Sequence, residues 1–266
     1  MVDKRRGVIG VILVLSLIAF VGFSMAPLLG GLLRTDSSES EPNQTAVSNI
    51  SGAQLKDLED QARGYQLVLQ REPDNETALR GFLQAKFELI SQGQGQVRDV
   101  VEPLQRLAQL HPETPEYGIL LAQAQEYTGD PEAAAQSYRR ILEQRPGEVQ
   151  ALQGLVSLLI SQDRPEAAIG LLEDTLKSAP QINQAQAGSI DEISIQLILG
   201  QVYAEQQRYQ EAIAVYDEAI KNSESDFRPV LAKAIILRTT GDILTMLSYY
   251  FLECHRLSSL PGFRVS

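Results

Sequence analysis

The sequence predicts an all-α protein, a solenoid of stacked helical hairpins preceded by a single N-terminal transmembrane helix. Three observations carry this. Residues 7–33 hold no charged side chain. Prolines recur at a fixed interval in the body of the chain. Between them, apolar residues return at intervals of three and four, the period of one helix face.

Residues 1–6 form a short basic start with Lys4, Arg5 and Arg6. Residues 7–33 follow as a signal anchor. Val8 to Phe23 is almost wholly aliphatic. As a helix, Gly7 to Met25 would span roughly 28 Å, close to a bilayer core. The bases flank one end, while Arg34, Asp36, Glu39 and Glu41 lie beyond the other. The positive-inside rule then keeps the N-terminus cytoplasmic and exports the rest. A cleaved signal peptide is the competing reading, since Ser24-Met25-Ala26 has the small-x-small form of a cleavage site. Pro27 directly after the cut favours an uncleaved anchor. So does the apolar run through Leu28, Leu29, Leu32 and Leu33. A lipoprotein is excluded because no Cys follows the apolar stretch.

Residues 34–51 are Ser-, Asn- and Glu-rich and bury too little apolar surface to fold, so they read as a flexible tether. Residues 52–72 hold one helix, with Leu55, Leu58, Ala62, Tyr65 and Leu69 on one face. No first helix precedes it, so it reads as an N-terminal cap on the first full hairpin. A coiled-coil dimerisation helix stays open, although about three heptads is short for one.

Residues 74–242 carry the repeats. Pro73, Pro112, Pro146 and Pro180 each close a helical pattern, and the last two intervals are both 34 residues. The first is 39, with the excess in the Gly/Gln stretch Ser91 to Gln96. An insertion follows Pro180, and a further unit begins near Ile193. Within each unit, small residues are expected where two helices approach closely and large ones where they fill the space to the next pair. The unit from Ile193 places Leu199, Gly200, Tyr203, Ala212, Tyr216 and Ala219, with Glu224 in place of the closing proline. That from Pro115 places Leu121, Ala122, Ala134 and Tyr138; that from Val149 places Leu152, Leu155, Ala168 and Leu172. An earlier unit from Glu76 offers Leu79, Phe82, Val100 and Leu104, and its Pro103 must delay or kink the second helix. Asp130-Pro131 reads as an N-cap followed by proline at the first helical position, and Pro165 and Pro229 also suit a first turn. One hairpin cannot bury its apolar faces alone, so several must stack.

The period and these positions resemble the tetratricopeptide repeat. Within that group, Asp226-Phe-Arg-Pro-Val-Leu231, after an insertion-bearing unit, resembles the membrane-associated Slow Green-type proteins of chloroplasts and cyanobacteria, over roughly Leu55 to Asp242. The chain lacks the Ser/Arg-rich transit peptide of the plant form, which fits a bacterial, cyanobacterial-type homologue. The resemblance implies a role in biogenesis of photosynthetic (thylakoid) or envelope membranes through partner binding.

Residues 243–266 depart from the pattern. Met246 and Glu253 stand where alanines are expected, and the stretch holds the lone Cys and the run Tyr249-Tyr250-Phe251. A divergent terminal helix and a changed reading frame after Gly241 are both open.

Composition limits the chemistry. The chain of 266 residues has a formal charge of −11. Without its first 34 residues it keeps 19 basic and 33 acidic side chains, a charge of −14. Phosphate contacts need a basic face, so no nucleic-acid partner is expected. One Cys and two His exclude an intrachain disulfide and a Cys-rich metal site. Cys254 and His255 are adjacent and would point about 100° apart on a helix, which does not suit a dyad. His111, before Pro112, reads as a solvated loop residue. Gly93-Gln-Gly95 lacks the Lys and Ser/Thr of a phosphate loop. No catalytic residue, metal site or cofactor is expected, and the chain reads as a non-enzyme.

The expected binding surface is the concave face lined by the first helix of each hairpin. It takes Arg80, Gln84 and Phe87 from the first unit, then Ile119, Gln123 and Glu126 from the next. Gln153 and Ser157, then Leu197 and Gln201, continue it. The repeat family's chaperone-binding members use Lys and Asn at the equivalents of Arg80 and Gln84. Neither occurs at these positions in any unit here, so carboxylate-clamp binding of chaperone tails is not expected. A Gln-and-aliphatic groove suits a helix or an extended segment, while the same glutamines also serve as plain solvent-facing helix formers. The function expected is a membrane-anchored scaffold that holds protein partners during assembly of a membrane complex. The alternative is a permanent structural subunit of an envelope complex.

Overall fold

Ten helices and no strand make up the described residues of the computed structural model, which are 52–223 and 225–241. The basic start (1–6), the predicted anchor (7–33), the tether (34–51), Glu224, Asp242 and the stretch 243–266 lie outside them. In chain order the helices are α1 (Gly52–Arg71), α2 (Glu76–Ser91), α3 (Arg98–Leu110), α4 (Pro115–Tyr127) and α5 (Pro131–Gln144). They continue with α6 (Val149–Ser161), α7 (Pro165–Ala185), α8 (Glu192–Glu205), α9 (Tyr209–Asn222) and α10 (Arg228–Thr239). The chain divides into two compact units, one up to Ser137 and one from Tyr138. Among the described residues no helix is long and apolar enough to cross a membrane.

In the first unit α1 packs on α2, α2 on α3 and α3 on α4. Leu79, Leu83, Val100, Leu104, Leu107 and Leu121 form its main core, and Ala62, Phe82 and Ala85 a second cluster under Tyr65. In the second unit α6 packs on α7, α7 on α8, α8 on α9 and α9 on α10, with α8 also touching α6 and α10. The small residues fall where the repeat register puts them: Ala134, Ala168 and Ala212 are each 0% exposed. On α1 the equivalent positions hold Gln61 and Val68, and both are exposed. No first helix packs there, so nothing requires them to be small.

A second size rule links successive hairpins. A Cβ built on Gly81 would overlap the ring of Tyr65, and one on Gly154 the ring of Tyr138. Each tyrosine sits on a second helix and each glycine on the first helix of the next hairpin. Where the second helix carries Leu104 or Leu172 instead, the matching position holds Leu120 or Ile198. The Tyr216 ring differs, packing against Gly200 of its own hairpin. Volume on one side is offset by its absence on the other, as a close-packed interior requires.

The turns repeat one backbone device. After α4 the N–H of Asp130 donates to the Gln125 carbonyl at 2.9 Å, and Gly129 sits at φ 83°. After α6 and α8 the same bonds run from Arg164 to Leu159 (2.9 Å) and from Arg208 to Tyr203 (2.8 Å). There the left-handed residues are Asp163 (φ 59°) and Gln207 (φ 61°). This is the Schellman closure of a helix C-terminus. Side chains cap the starts of three helices, one of them the expected Asp130. Asp130 accepts from the Ala133 N–H at 3.1 Å, Asn75 from Ala78 at 3.0 Å and Asp191 from Ser194 at 3.1 Å.

Pro73, Pro112 and Pro146 each lie two residues past a helix end, as the spacing predicts. Pro180 does not end its helix: α7 runs through it to Ala185. Its ring is on the exposed side. The Asn183 amide beyond it accepts from the Ile190 N–H at 2.9 Å and donates to the Ile190 carbonyl at 3.0 Å. The insertion is thereby folded back onto the extra helical turn, which offsets the hydrogen bond that proline forfeits. Pro103 lies inside α3, buried, and the helix begins with short-range bonds from Asp99 to Gln96 and Val100 to Val97.

Candidate protein-interaction surface

The open side of the hairpins is clearest on α6. That helix is apolar except for Gln150, Gln153, Ser157 and Ser161, and those four residues are its exposed ones. Ala151, Leu152, Leu155, Val156, Leu158 and Leu159 are buried. Neighbouring helices therefore cover α6 everywhere but along one polar stripe. The same register on α8 leaves Gln201 exposed and Leu197 half-buried, with Gln201 donating to Glu205 at 2.9 Å.

In the first unit, Arg80 and Gln84 are exposed on α2, and Arg80 is held by Glu76 at 3.1 Å. Phe87 is half-buried and packs against the leucine core. Gln123 and Glu126 of α4 are half-buried. Ile119 differs from its expected solvent-facing place, being only 5% exposed. It belongs to the interior, where an aliphatic side chain is favoured by its removal from water. His111 is likewise not a free loop residue. Its ring lies 3.0 Å from Glu76 and 3.3 Å from Glu113, joining the start of α2 to the turn after α3.

Two features escaped the sequence reading. The first is a cleft of about 410 Å³ between α1, α2 and α3, floored by Leu69, Leu79 and Phe82. Its charges are matched internally: Lys86 lies 2.7 Å from Asp99, and Arg106 lies 3.1 Å from both Asp74 and Glu102. The second is the outer face of α10. Phe227, Leu231 and Ile235 are 60%, 47% and 44% exposed at spacings of four residues. Leu231 and Ile235 stand at the register of Arg80 and Gln84, and their apolar continuity with Phe227 is the signal in the sequence. Just before them Asp226 accepts from the Arg228 N–H at 2.9 Å and holds its guanidinium at 2.6 Å. Those hydrogen bonds keep the Asp226 carboxyl below the usual carboxylate range.

Electrostatics elsewhere is structural. The Tyr203 hydroxyl donates to Glu173 at 2.8 Å, and Arg208 stacks 4.5 Å from the Tyr203 ring while reaching Glu166 at 3.0 Å. Burial, then the Glu173 bond, pushes the Tyr203 phenol up to about 12. Among the described residues no group of three or more His, Cys, Asp or Glu could hold a metal ion. Cys254 and His255 lie outside the described residues.

Family models of the tetratricopeptide repeat match residues 127–189 and, separately, residues 93–149 and 194–227. The chain thus carries tetratricopeptide repeats, on the hairpins just described. No curated protein sequence matches it. Among solved structures it is similar to MamA from Desulfovibrio magneticus RS-1, at 16% identity over 74% of this chain and 94% of that one, with a TM-score of 0.41. It is similar to PilF of Pseudomonas aeruginosa at 17% identity, over 66% of this chain and 75% of that one (TM-score 0.43). BtubC from P. vanneervenii gives 14% identity over 80% and 93%, with a TM-score of 0.45. At these values the likenesses carry no argument about function.

Proposed function

We propose that this protein is a membrane-tethered scaffold that holds protein partners on the open face of its first helices while a membrane complex is assembled. The observation that carries the reading is the stripe on α6. An otherwise buried helix keeps a row of short polar side chains in water, at the register where α8 presents Leu197 and Gln201. Amide and hydroxyl groups there can bond a partner's backbone, and Leu197 can take an apolar side chain. The uncharged run 7–33 supplies the anchor and the polar stretch 34–51 the reach. The flanking charges keep the N-terminus cytoplasmic and put the repeats on the exported side. The resemblance of Asp226 to Leu231 to Slow Green-type proteins points to photosynthetic or envelope membranes. Binding, not catalysis, is the proposed activity.

The test uses the full chain in its own membrane. Crosslinking followed by identification of co-purified proteins supplies the partner. Gln153, Ser157, Leu197 and Gln201 are then replaced together by Glu, which puts charge where a partner would bury apolar and amide groups. The expected result is unchanged helical circular dichroism with partner recovery reduced about tenfold or more. Recovery at the wild-type level with the fold intact would remove this face as the binding site.

A further inference from the structure

The outer face of α10 is unlike the polar stripe of α6. Phe227, Leu231, Ile235 and Arg238 project from one side of the helix, at successive spacings of four, four and three residues. Pro229, Ala234, Ile236 and Leu237 are buried on the other side. Three of the large apolar side chains exposed among the described residues therefore share one face. Leu231 and Ile235 occupy the register of Gln153 and Ser157. Those two stay exposed although α6 packs against both α7 and α8. A second helix following α10 in the ordinary hairpin arrangement would thus leave Leu231 and Ile235 in water. Exposing a contiguous apolar row has a cost in solubility and marks a surface that is covered by something else.

Charge says what covers it. The helix carries Arg228, Lys233 and Arg238 and no acid, in a chain of net charge −11. Arg228 is held by Asp226 and Lys233 reaches Asp217. Arg238 is exposed and makes no ion pair among the described residues. It sits at the C-terminal end of the apolar row, one turn beyond Ile235.

We propose that this face anchors an acidic amphipathic helix from a partner protein. Its apolar residues, at spacings of three and four, lie along Phe227, Leu231 and Ile235, and a carboxylate meets Arg238. The proposal rests on the scaffold reading above and adds the chemistry of the partner. The row is about 12 Å long, some two turns, which matches the apolar stripe of a short helix laid alongside. General electrostatics favours a basic peptide, and only Arg238, at the end of the apolar row, favours an acidic one.

The probe is a labelled peptide of about 16 residues, with Leu on one helical face and Glu elsewhere. Its control has every Glu replaced by Lys. Binding is measured by fluorescence anisotropy to the full chain in nanodiscs of zwitterionic lipid, with empty nanodiscs subtracted. The wild type is expected to bind the Glu peptide about tenfold tighter than the Lys peptide. Leu231→Glu with Ile235→Glu should lower binding of the Glu peptide about tenfold or more. Arg238→Glu should reverse the preference, a change that loss of packing alone does not produce. The proposal fails if the wild type prefers the Lys peptide or binds neither, or if Leu231→Glu with Ile235→Glu binds as the wild type does. It also fails if binding appears only when the chain is ended at Gly241, because the chain's own last residues then occupy the face. If the α10 variants keep full recovery of the crosslinked partner while the α6 and α8 variants lose it, the scaffold reading stands without this anchor.

Discussion

At the scale of single residues, the pairing of Tyr138 with Gly154 gives the sharpest test of the packing. Tyr138 is 2% exposed and has little room to swing away from a new methyl group. Gly154→Ala should therefore overpack the contact and cost roughly 1–3 kcal/mol. The larger change Gly154→Leu should cost more when made alone. Combined with Tyr138→Leu it reproduces the Leu104 and Leu120 arrangement of the first unit, so the double variant should be more stable than the sum of its parts. A coupling of about 0.5–3 kcal/mol is expected in thermal melts; strict additivity would mean the two side chains do not meet. Sequence reading found Ala134, Ala168 and Gly200 because it looked for small residues inside one hairpin. It passed over Gly81 and Gly154 because their partners lie in the preceding hairpin.

At the scale of elements, the helix ends were legible wherever local chemistry decides. Asp130, Pro131 and Pro165 start helices, and Pro73, Pro112 and Pro146 follow their ends. Pro180 was misread because the rule that proline stops a helix is local. The bonds from Asn183 to Ile190 that keep α7 going span seven residues of a loop with no period. The turns make a prediction of their own. Gln207 holds a left-handed conformation that Gly129 and Gly241 adopt in the equivalent turns. A non-glycine residue pays for that backbone, whereas glycine gives up more freedom on folding. Gln207→Gly should on balance stabilise the protein by about 0.5–1 kcal/mol. A rise in melting temperature would be the sign, and a fall would mean that the turn is not held left-handed in solution.

At the scale of the molecule, the repeat architecture could be read from the prolines and alanines, while the exposure of the proposed binding residues could be read only in part. Register alone located Gln153, Ser157 and Gln201 on an open face. It failed for Ile119, because register gives a direction and burial depends on what packs over it. It undervalued α10, where the informative feature is the sum of Phe227, Leu231 and Ile235 and not any one of them. The orientation proposed for the chain has its own check. In sealed vesicles with the cytoplasmic face outward, added protease should leave a repeat fragment intact until detergent is added. Digestion without detergent would reverse the topology. The size rule between hairpins reaches further than stability. The matched sizes alternate from one hairpin to the next, with Tyr65, Leu104 and Tyr138 meeting Gly81, Leu120 and Gly154. Copying a single hairpin would create one mismatched junction, a leucine facing a glycine if the hairpin of Gly81 and Leu104 is copied, or a tyrosine against a leucine if that of Leu120 and Tyr138 is. Copying two together restores every match, so the module that can be duplicated, deleted or transplanted in this protein is a pair of hairpins.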